Sequence, residues 1–589
     1  QSAPPLSLPP LLQHLALRRS CSLAASPAAL RAASERWLHL RMQARWLAAV
    51  LLSGRARSLH NEIYYDHPPM GWRSWNCFGG DVTQDLMQEM VDAMVRTRTG
   101  LDNQATSFSQ LGYTNVGLDD NWQMCGAGVR GSFHDAAGRP IVNLERFPDL
   151  KAMTRYGHER GLRMGFYANN CICAEVGATG LEADGEIYQH YVQDMKAVVD
   201  YGFDGVKVDA CGQYLDMALY AQLLNASGRQ VLLENCHWGM CSDVNDDGIS
   251  GDGVDMHDWT EGNSGCPERQ EDGSISCPFH FFRTSGDIDS SMFSWLRNLE
   301  SAVRFLDRQA PLAGRGCWAY PDMIEVGNMP GEATFEWQQA HFGAWCIMSA
   351  PLVLGFDLRN EDIISDVWAF VANEEAIEVS QSWSGHPGWR VKAWTPKGSR
   401  PVGYQPRDLD SENVFTSKEP INVMQAWAKP MPGKRIAILI INADADAEHS
   451  YSLALADLGA QGAYAVRDVW DREHRGIVHA TLDGTVTRLA SEFIMLTPVD
   501  DPPPAPSPSP APPLDLPPDS PPKSLPVPPS VSPPSPRHRH RFHRRRQRRR
   551  HQYFHLSHLH YQHHCRLSHL PSNHQVQSMR FWSRHQAPL

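Results

Sequence analysis

No stretch of the 589 residues is apolar for long enough to cross a bilayer as a helix, which argues against a membrane-embedded core. None of the 13 cysteines forms a CxxC pair. Cys171 and Cys173 stand too close together to look like a zinc clamp, since no His or Cys partners lie at the usual spacing. No phosphate loop and no metal-ligand set is evident, so neither a cofactor nor a metal is expected. Acidic residues are absent after Asp519, while residues 537–550 (RHRHRFHRRRQRRR) are almost all basic. The net charge of -12 therefore understates the acidity of the folded part, which argues against a nucleic-acid surface there.

What is present is enough chain for two or more domains. From Met42 the sequence MQARWLAAVLLSGRARS has a basic start, a short apolar run and a small-residue exit, the pattern of a secretory signal; a transit peptide is the alternative. The cysteine number suits a secreted or vacuole-like, lysosome-like protein with several disulfides. One glycosylation sequon, Asn225-Ala226-Ser227, falls at the end of an expected helix. A homodimer is compatible with the chain, whose oligomeric state is not legible in the sequence.

Residues 1–59 read as a signal-like, transit-like or disordered N-terminus, and residues 60–385 as the catalytic domain. In the latter, short apolar runs alternate with amphipathic stretches. The runs are MGWRSWN (70–76), YTNVGLDD (113–120), RMGFYAN (163–169), GVKVDA (205–210), QVLLENC (230–236), FFRTSGDI (281–288), CWAYPD (317–322) and CIMSAPLVLG (346–355). Eight strand–helix units in this length predict an α/β fold, a (β/α)8 TIM barrel. Residues 386–498 change texture to short alternating strands, GIVHATL among them, and predict a C-terminal antiparallel β-sandwich. Residues 499–536 form a Pro/Ser-rich linker, and residues 537–589 a His/Arg-rich tail expected to be disordered.

In GVKVDAC (205–211), Lys207 and Asp209 share one face of a buried strand. Burying such groups is costly unless they are paired or used. Asp119-Asp120, Asn169-Asn170, Asp209, Asn235, Asp287 and Asp322 all fall at the C-terminal ends of strand candidates. In a barrel those ends converge on the face that carries active sites. Independent structural ion pairs would have no reason to cluster so. Carboxylates without a phosphate loop or metal set point to hydrolysis of a glycosidic bond, which needs one carboxyl to attack or activate water and another to protonate the leaving oxygen. Lys207 keeps Asp209 ionised and fit to be a nucleophile; Asp287 is a candidate for the second role, and Arg283 could bind it or the substrate.

The motifs GWRSWNCF, LGYTNVGLDDNW, RGLRMGFYANN, GFDGVKVDAC, CHWG, RTSGDID, YPDMIEVGN and HFGAWCIMSAPLVLGFDLR occur in the order found in the α-galactosidases of glycoside hydrolase family 27, and the chain resembles that family over about residues 68–498. The resemblance implies a retaining exo-α-galactosidase acting on terminal galactosyl oligosaccharides or glycoconjugates. Asp209 would be the nucleophile and Asp287 the acid and then the base. It further implies that Asp119 and Asp120 bind the sugar's 4- and 6-hydroxyls, Lys207 the 3- and 4-hydroxyls, and Arg283 the 2-hydroxyl region. Trp72 and Tyr167 would wall the pocket. Disulfides Cys77–Cys125, Cys211 with Cys171 or Cys173, and Cys236–Cys277 are implied by the same analogy.

The sequence departs from the family in three places. His237 stands where the family carries a glutamate near the 2-hydroxyl, which opens recognition at C2. The WNDPD segment appears as Trp318-Ala319-Tyr320-Pro321-Asp322 and loses one acid while keeping Asp322. Residues 240–279 are a long insertion holding DVNDDG (243–248), the first half of a calcium loop. Val254 replaces the Glu that such a loop needs at its twelfth position, so a solvated acidic loop stapled by Cys241, Cys266 and Cys277 is expected there. The alternatives are a β-L-arabinopyranosidase, an α-N-acetylgalactosaminidase or a non-catalytic carbohydrate-binding protein. Retention of both Asp209 and Asp287 speaks against the last, and the Asp119-Asp120 pair favours a sugar with a C6 hydroxyl over an arabinopyranoside. The tail could bind nucleic acid, anionic polysaccharide or metal, but compositional bias alone is the simpler account.

Overall fold

The structure is a computed structural model that describes residues 66–168, 171–173, 185–210, 216–237, 267–270, 273–403 and 420–499. The calcium-like loop, Asn169-Asn170, Cys211, Cys241, Cys266, the signal-like stretch, the linker and the tail lie outside them.

Eight parallel strands follow one another in chain order around a barrel: β1 (Met70–Arg73), β2 (Asn115–Gly117), β3 (Arg163–Ala168), β4 (Gly205–Asp209), β5 (Leu232–Cys236), β6 (Phe281–Arg283), β7 (Trp318–Tyr320) and β8 (Leu352–Leu354). β8 pairs with β1 at Met70–Leu352. Just past β7, a parallel bridge joins Ile324 to Leu354, and the Ile324 N–H donates to Val353 O at 2.8 Å, so the ring closes. Each strand corresponds to one of the eight apolar runs.

Helices cover the outside. α1 (Gln84–Val95) starts at Thr83, whose hydroxyl accepts from the Leu86 N–H at 3.2 Å, and it buries Met87, Met90, Val91 and Met94 at helical spacing. α2 (Leu150–His158) is capped by Asp149, and α3 (Glu186–Tyr201) stops at Gly202, which takes φ 85°. α4 (Met217–Ser227), α5 (Ser294–Ala302) and α6 (Phe335–Ile347) continue the alternation. α7 (Glu361–Val371) and α8 (Glu374–Gln381) follow β8, each capped by an asparagine. Among the described residues, no helix is long and apolar enough to cross a membrane.

The second domain begins with β9 (Trp389–Trp394) and continues through β10 (Met424–Met431), β11 (Arg435–Asn442), β12 (His449–Ala454), β13 (Ala463–Asp468), β14 (Glu473–Val478), β15 (Thr481–Val486) and β16 (Ala490–Val499). A six-stranded sheet in the order β9-β10-β11-β16-β13-β14 faces the pair β12-β15 across a core of Ile436, Ile438, Ile440, Leu453, Leu482 and Ile494. The stretch GIVHATL is not one strand. It straddles β14 and β15, which belong to different sheets, and the chain changes sheet at His479-Ala480. β14 opens with exposed Glu473, His474 and Arg475 on a sheet edge, so it has no apolar alternation to reveal it.

Two expected disulfides are corrected. Cys125 pairs with Cys173, not Cys77, and Cys277 pairs with Cys317, not Cys236. Cys236 is a buried thiol on the barrel's inner wall, whereas Cys317 sits beside Cys277 at the start of β7. Cys171 is disulfide-bonded too.

Candidate active site

The ten residues singled out in the sequence lie on, or just past, the C-terminal ends of seven barrel strands, β1 to β7. Trp72 is held by β1, its indole N–H donating to Phe356 O at 2.8 Å. Asp119 and Asp120 follow β2. Tyr167 is on β3, Lys207 and Asp209 are on β4, and His237 follows β5. Arg283 ends β6 with Asp287 in the loop beyond, and Asp322 follows β7.

Asp209 occupies a dense polar cluster. Its Oδ2 accepts from the Tyr167 hydroxyl at 2.9 Å and lies 3.6 Å from Lys207 Nζ; its Oδ1 accepts from the Ala210 N–H at 2.8 Å. Lys207 Nζ also donates to Asp119 Oδ2 at 3.0 Å and sits 5.2 Å from the Tyr167 ring centre. Burial pushes the Asp209 pKa up, Lys207 pulls it back, and the nearby negative charges of Asp287 and Asp119 push it up again. Burial works to strip the proton from Lys207, but Asp119 first and Asp209 after it hold its pKa well above the ordinary value. Lys207 is thus a fixed cation between two carboxylates.

The other half of the mouth centres on Arg283. It donates to Asp322 Oδ2 at 2.7 Å and to Asp287 Oδ1 at 3.0 Å. Asp322 also accepts from the N–H groups of Ile288 and Met323 and holds a φ of 115°, a strained backbone for a residue with a Cβ. Burial raises its pKa to about 6 against the pull of Arg283. The Asp287 side chain is 62% exposed, against 9% for Asp209. The cluster therefore offers a buried carboxylate held beside a lysine and a second carboxyl facing solvent.

Asp120 is engaged by backbone. Its Oδ2 accepts from the N–H groups of both Cys171 and Ile172 at 2.9 Å, and its Oδ1 from that of Asn121 at 2.7 Å. It anchors the loop after β3 to the loop after β2. His237 is buried, and burial lowers its pKa to about 3, so the ring is neutral. The backbone N–H of His237 donates to Asn235 Oδ1 at 3.1 Å.

Three charged residues escaped the sequence reading. Arg73, on β1, forms a two-pronged ion pair with Glu234, on β5, with one bond of 2.8 Å between Nη1 and Oε1. Its Nε lies 3.7 Å from Asp119 Oδ2. The signal was available: a charge inside a short apolar run is the argument that singled out Lys207. Glu325 follows β7, where its Oε1 accepts from the Asn76 side chain, and burial lifts its pKa to about 8. Among the described residues, no group of three or more His, Cys, Asp or Glu is arranged to hold a metal ion.

Comparison with known proteins agrees with this architecture. A family profile described as α-galactosidase A (Melibiase) matches residues 67–250 and 256–382, and one described as the α-galactosidase C-terminal β-sandwich domain matches residues 422–495. An α-galactosidase of Cyamopsis tetragonoloba is 28% identical over 73% of this chain and 86% of its own. α-Galactosidase A of Cellvibrio japonicus is 30% identical over 61% of this chain and 78% of its own. The crystal structure of α-galactosidase I from Mortierella vinacea superposes with a TM-score of 0.53 at 19% identity, covering 74% of this chain and 98% of that one, which speaks to the fold.

Proposed function

The chain belongs to the α-galactosidase A (melibiase) family, and on that premise we propose that it is a retaining exo-glycosidase releasing terminal α-D-galactosyl residues from oligosaccharides or glycoconjugates. The observation that carries this reading is the pairing of a buried carboxylate, Asp209, with a solvent-facing carboxyl, Asp287, at the same barrel mouth. Asp209 attacks the anomeric carbon while the bond to the leaving oxygen breaks, and Asp287 delivers the proton that oxygen needs. Lys207 and the Tyr167 hydroxyl hold the Asp209 carboxylate ionised and aimed. Esterification removes the negative charge of Asp209 and with it the repulsion from Asp287. Asp287 then takes a proton from water, which attacks the same carbon, and Asp209 leaves as the free carboxylate.

Asp119 and Lys207 present a charged acceptor and a charged donor to sugar hydroxyls, the strong form of hydrogen bond. Asp120 contributes through the loop it anchors as well as by any lone pair left for the substrate. Trp72 and Tyr167 supply the apolar wall. Neutral His237 can serve the C2 hydroxyl as donor or acceptor. The disulfides and the secretory-like stretch support a secreted or vacuole-like compartment.

The test is hydrolysis of p-nitrophenyl α-galactoside, α-N-acetylgalactosaminide and β-L-arabinopyranoside by the purified protein. Preference for the α-galactoside, with the α-anomer of galactose released first, is the expected result. Preference for another sugar would move the substrate, and release of the β-anomer would overturn retention.

A further inference from the structure

Beneath the site, the inner wall of the barrel is stripped of side chains on one side. Gly117, Gly165 and Gly205 lie in direct register on β2, β3 and β4. With Arg73, Lys207 and Glu234 they line a cavity in the barrel floor. Gly117 suits what fills the space: a Cβ there would lie 3.0 Å from Arg73 Nε, a tight contact that the arginine side chain would have to yield to. The guanidinium thus lies inside the barrel, crossing from β1 to Glu234 on β5. Both side chains are nearly sealed from solvent, at 11% and 2% exposure.

An ion pair this deep is a poor stabiliser, since desolvation offsets most of the Coulombic gain. Its position gives it another role. Asp119 Oδ2 lies 3.7 Å from Arg73 and 3.0 Å from Lys207, and Lys207 reaches on to Asp209 at 3.6 Å. Charges therefore alternate along the chain of contacts that leads to the nucleophile: Glu234, Arg73, Asp119, Lys207, Asp209. We propose that Arg73 and Glu234 are a positioning pair that sets how Lys207 is shared between Asp119 and Asp209. Arg73 satisfies part of Asp119 and leaves Lys207 available to the nucleophile. Glu234 keeps Arg73 from closing fully on Asp119.

The groups facing these residues from neighbouring strands are few. Asp287 after β6 acts on Asp209, and Asp322 after β7, whose pKa is raised to about 6, feels Lys207; the Tyr167 hydroxyl on β3 donates to Asp209, and Cys236 on β5 and Tyr320 on β7 are buried beside the chain. Burial pushes the thiol of Cys236 and the phenols of Tyr167 and Tyr320 well above their ordinary ranges, so they stay neutral while Asp209 titrates.

Removing either member should shift the titration of Asp209 in opposite directions. In Arg73→Met, Asp119 and the uncompensated Glu234 draw Lys207 away, and the acid limb of kcat/KM moves up by about one pH unit. In Glu234→Gln, Arg73 closes on Asp119 and releases Lys207 towards Asp209, and the limb moves down by a similar amount. The double variant Arg73→Met/Glu234→Leu replaces the pair with apolar bulk, keeps the fold if Arg73→Met alone does not, and should move the limb upward. The inference rests on Asp209 as nucleophile, so the same titrations are read without substrate, by carboxyl-carbon NMR with Asp209→Asn identifying the signal. If the wild type hydrolyses nothing while the carboxyl shifts persist, the functional reading falls and the pair's role stands. In a Lys207→Met background both NMR shifts should vanish, because the pair acts through that lysine. Unmoved titrations, shifts of the same sign in the two single variants, or shifts that survive Lys207→Met would overturn the proposal.

Discussion

Arg73, Asp119, Lys207, Asp209, Glu234, Arg283 and Asp322 are each at most 9% exposed inside the barrel, whereas the sandwich core is mostly Ile, Leu, Val and Ala, with a few aromatic rings and no charged residue. The sandwich's buried Asp444 and Asp468 are satisfied locally, by His449 and Arg475. Its buried Lys429 donates to Ser349 Oγ at 2.6 Å and to the carbonyls of Val379 and Ser380, pinning β10 to the barrel. Charges in the sandwich occur as a pair, as a bolt, or as one small cluster in which half-exposed Arg475, on the edge strand β14, bridges Asp468 and Glu492. In the barrel the linking cations are themselves buried: Arg73, Lys207 and Arg283 each lie between two carboxylates away from solvent, whereas Arg475 is 40% exposed. Burying linked charge costs stability, and the family chemistry at the mouth is what that cost serves.

The comparison breaks if the mouth can lose its charges as cheaply as the sandwich. The largest effect is expected from Asp209→Ala, which should lower kcat by at least about 10⁴-fold with the fold retained. Asp287→Asn should cost about 10²–10⁴-fold, and less for a p-nitrophenyl leaving group that needs no proton. Lys207→Met removes a charged donor worth about 1.5–3 kcal/mol, so kcat/KM should fall by about 10- to 100-fold and its acid limb should rise. Steady-state kinetics across pH would check all three.

Stability measurements sharpen the contrast. Lys429→Ala leaves buried carbonyls without their donor and should cost roughly 1–3 kcal/mol of stability, while kcat/KM stays within about twofold of wild type. The effect would then be purely structural. Glu325, near the mouth, should show the opposite dependence on conditions. Its pKa rises on folding from 4.5 to about 8 because of burial. The folded state therefore binds the proton more tightly, and stability falls as pH rises between those values. Glu325→Gln, a stand-in for the protonated acid, should melt like wild type near pH 4.5 and progressively above it towards pH 8. A constant gap in Tm across that range would count against a buried protonated carboxyl.

The barrel was legible because short apolar runs recur with polar residues at their ends, and parallel strands buried on both faces leave that trace. Lys207 and Asp209 were legible for the same reason. Arg73 and Glu234 were not, although each also interrupts an apolar run: their partners are 161 residues apart, and only the closure of the barrel brings them together. Two of the expected disulfides, Cys77–Cys125 and Cys236–Cys277, failed for a related reason. Cys125 faces Cys173 because the loops after β2 and β3 meet over Asp120, a contact with no counterpart in spacing. β14 was half hidden because an exposed edge strand has no apolar face to alternate.

The smallest effect is expected from removing residues 500–589. β16 ends at Val499, and its ladders to β11 and β13 are complete at that residue. None of the ten mouth residues comes from the C-terminal segment. Its basic composition gives it one physical handle, attraction to polyanions that weakens as salt screens it. The truncated protein should therefore match the full chain in kcat, KM and Tm on a neutral p-nitrophenyl substrate at any salt. On an acidic polysaccharide bearing terminal galactose, a deficit that appears at low salt and disappears at high salt would assign the tail a tethering role outside the catalytic unit. A deficit on the small neutral substrate would instead mean that the linked charges of the mouth depend on a segment beyond the barrel and the sandwich.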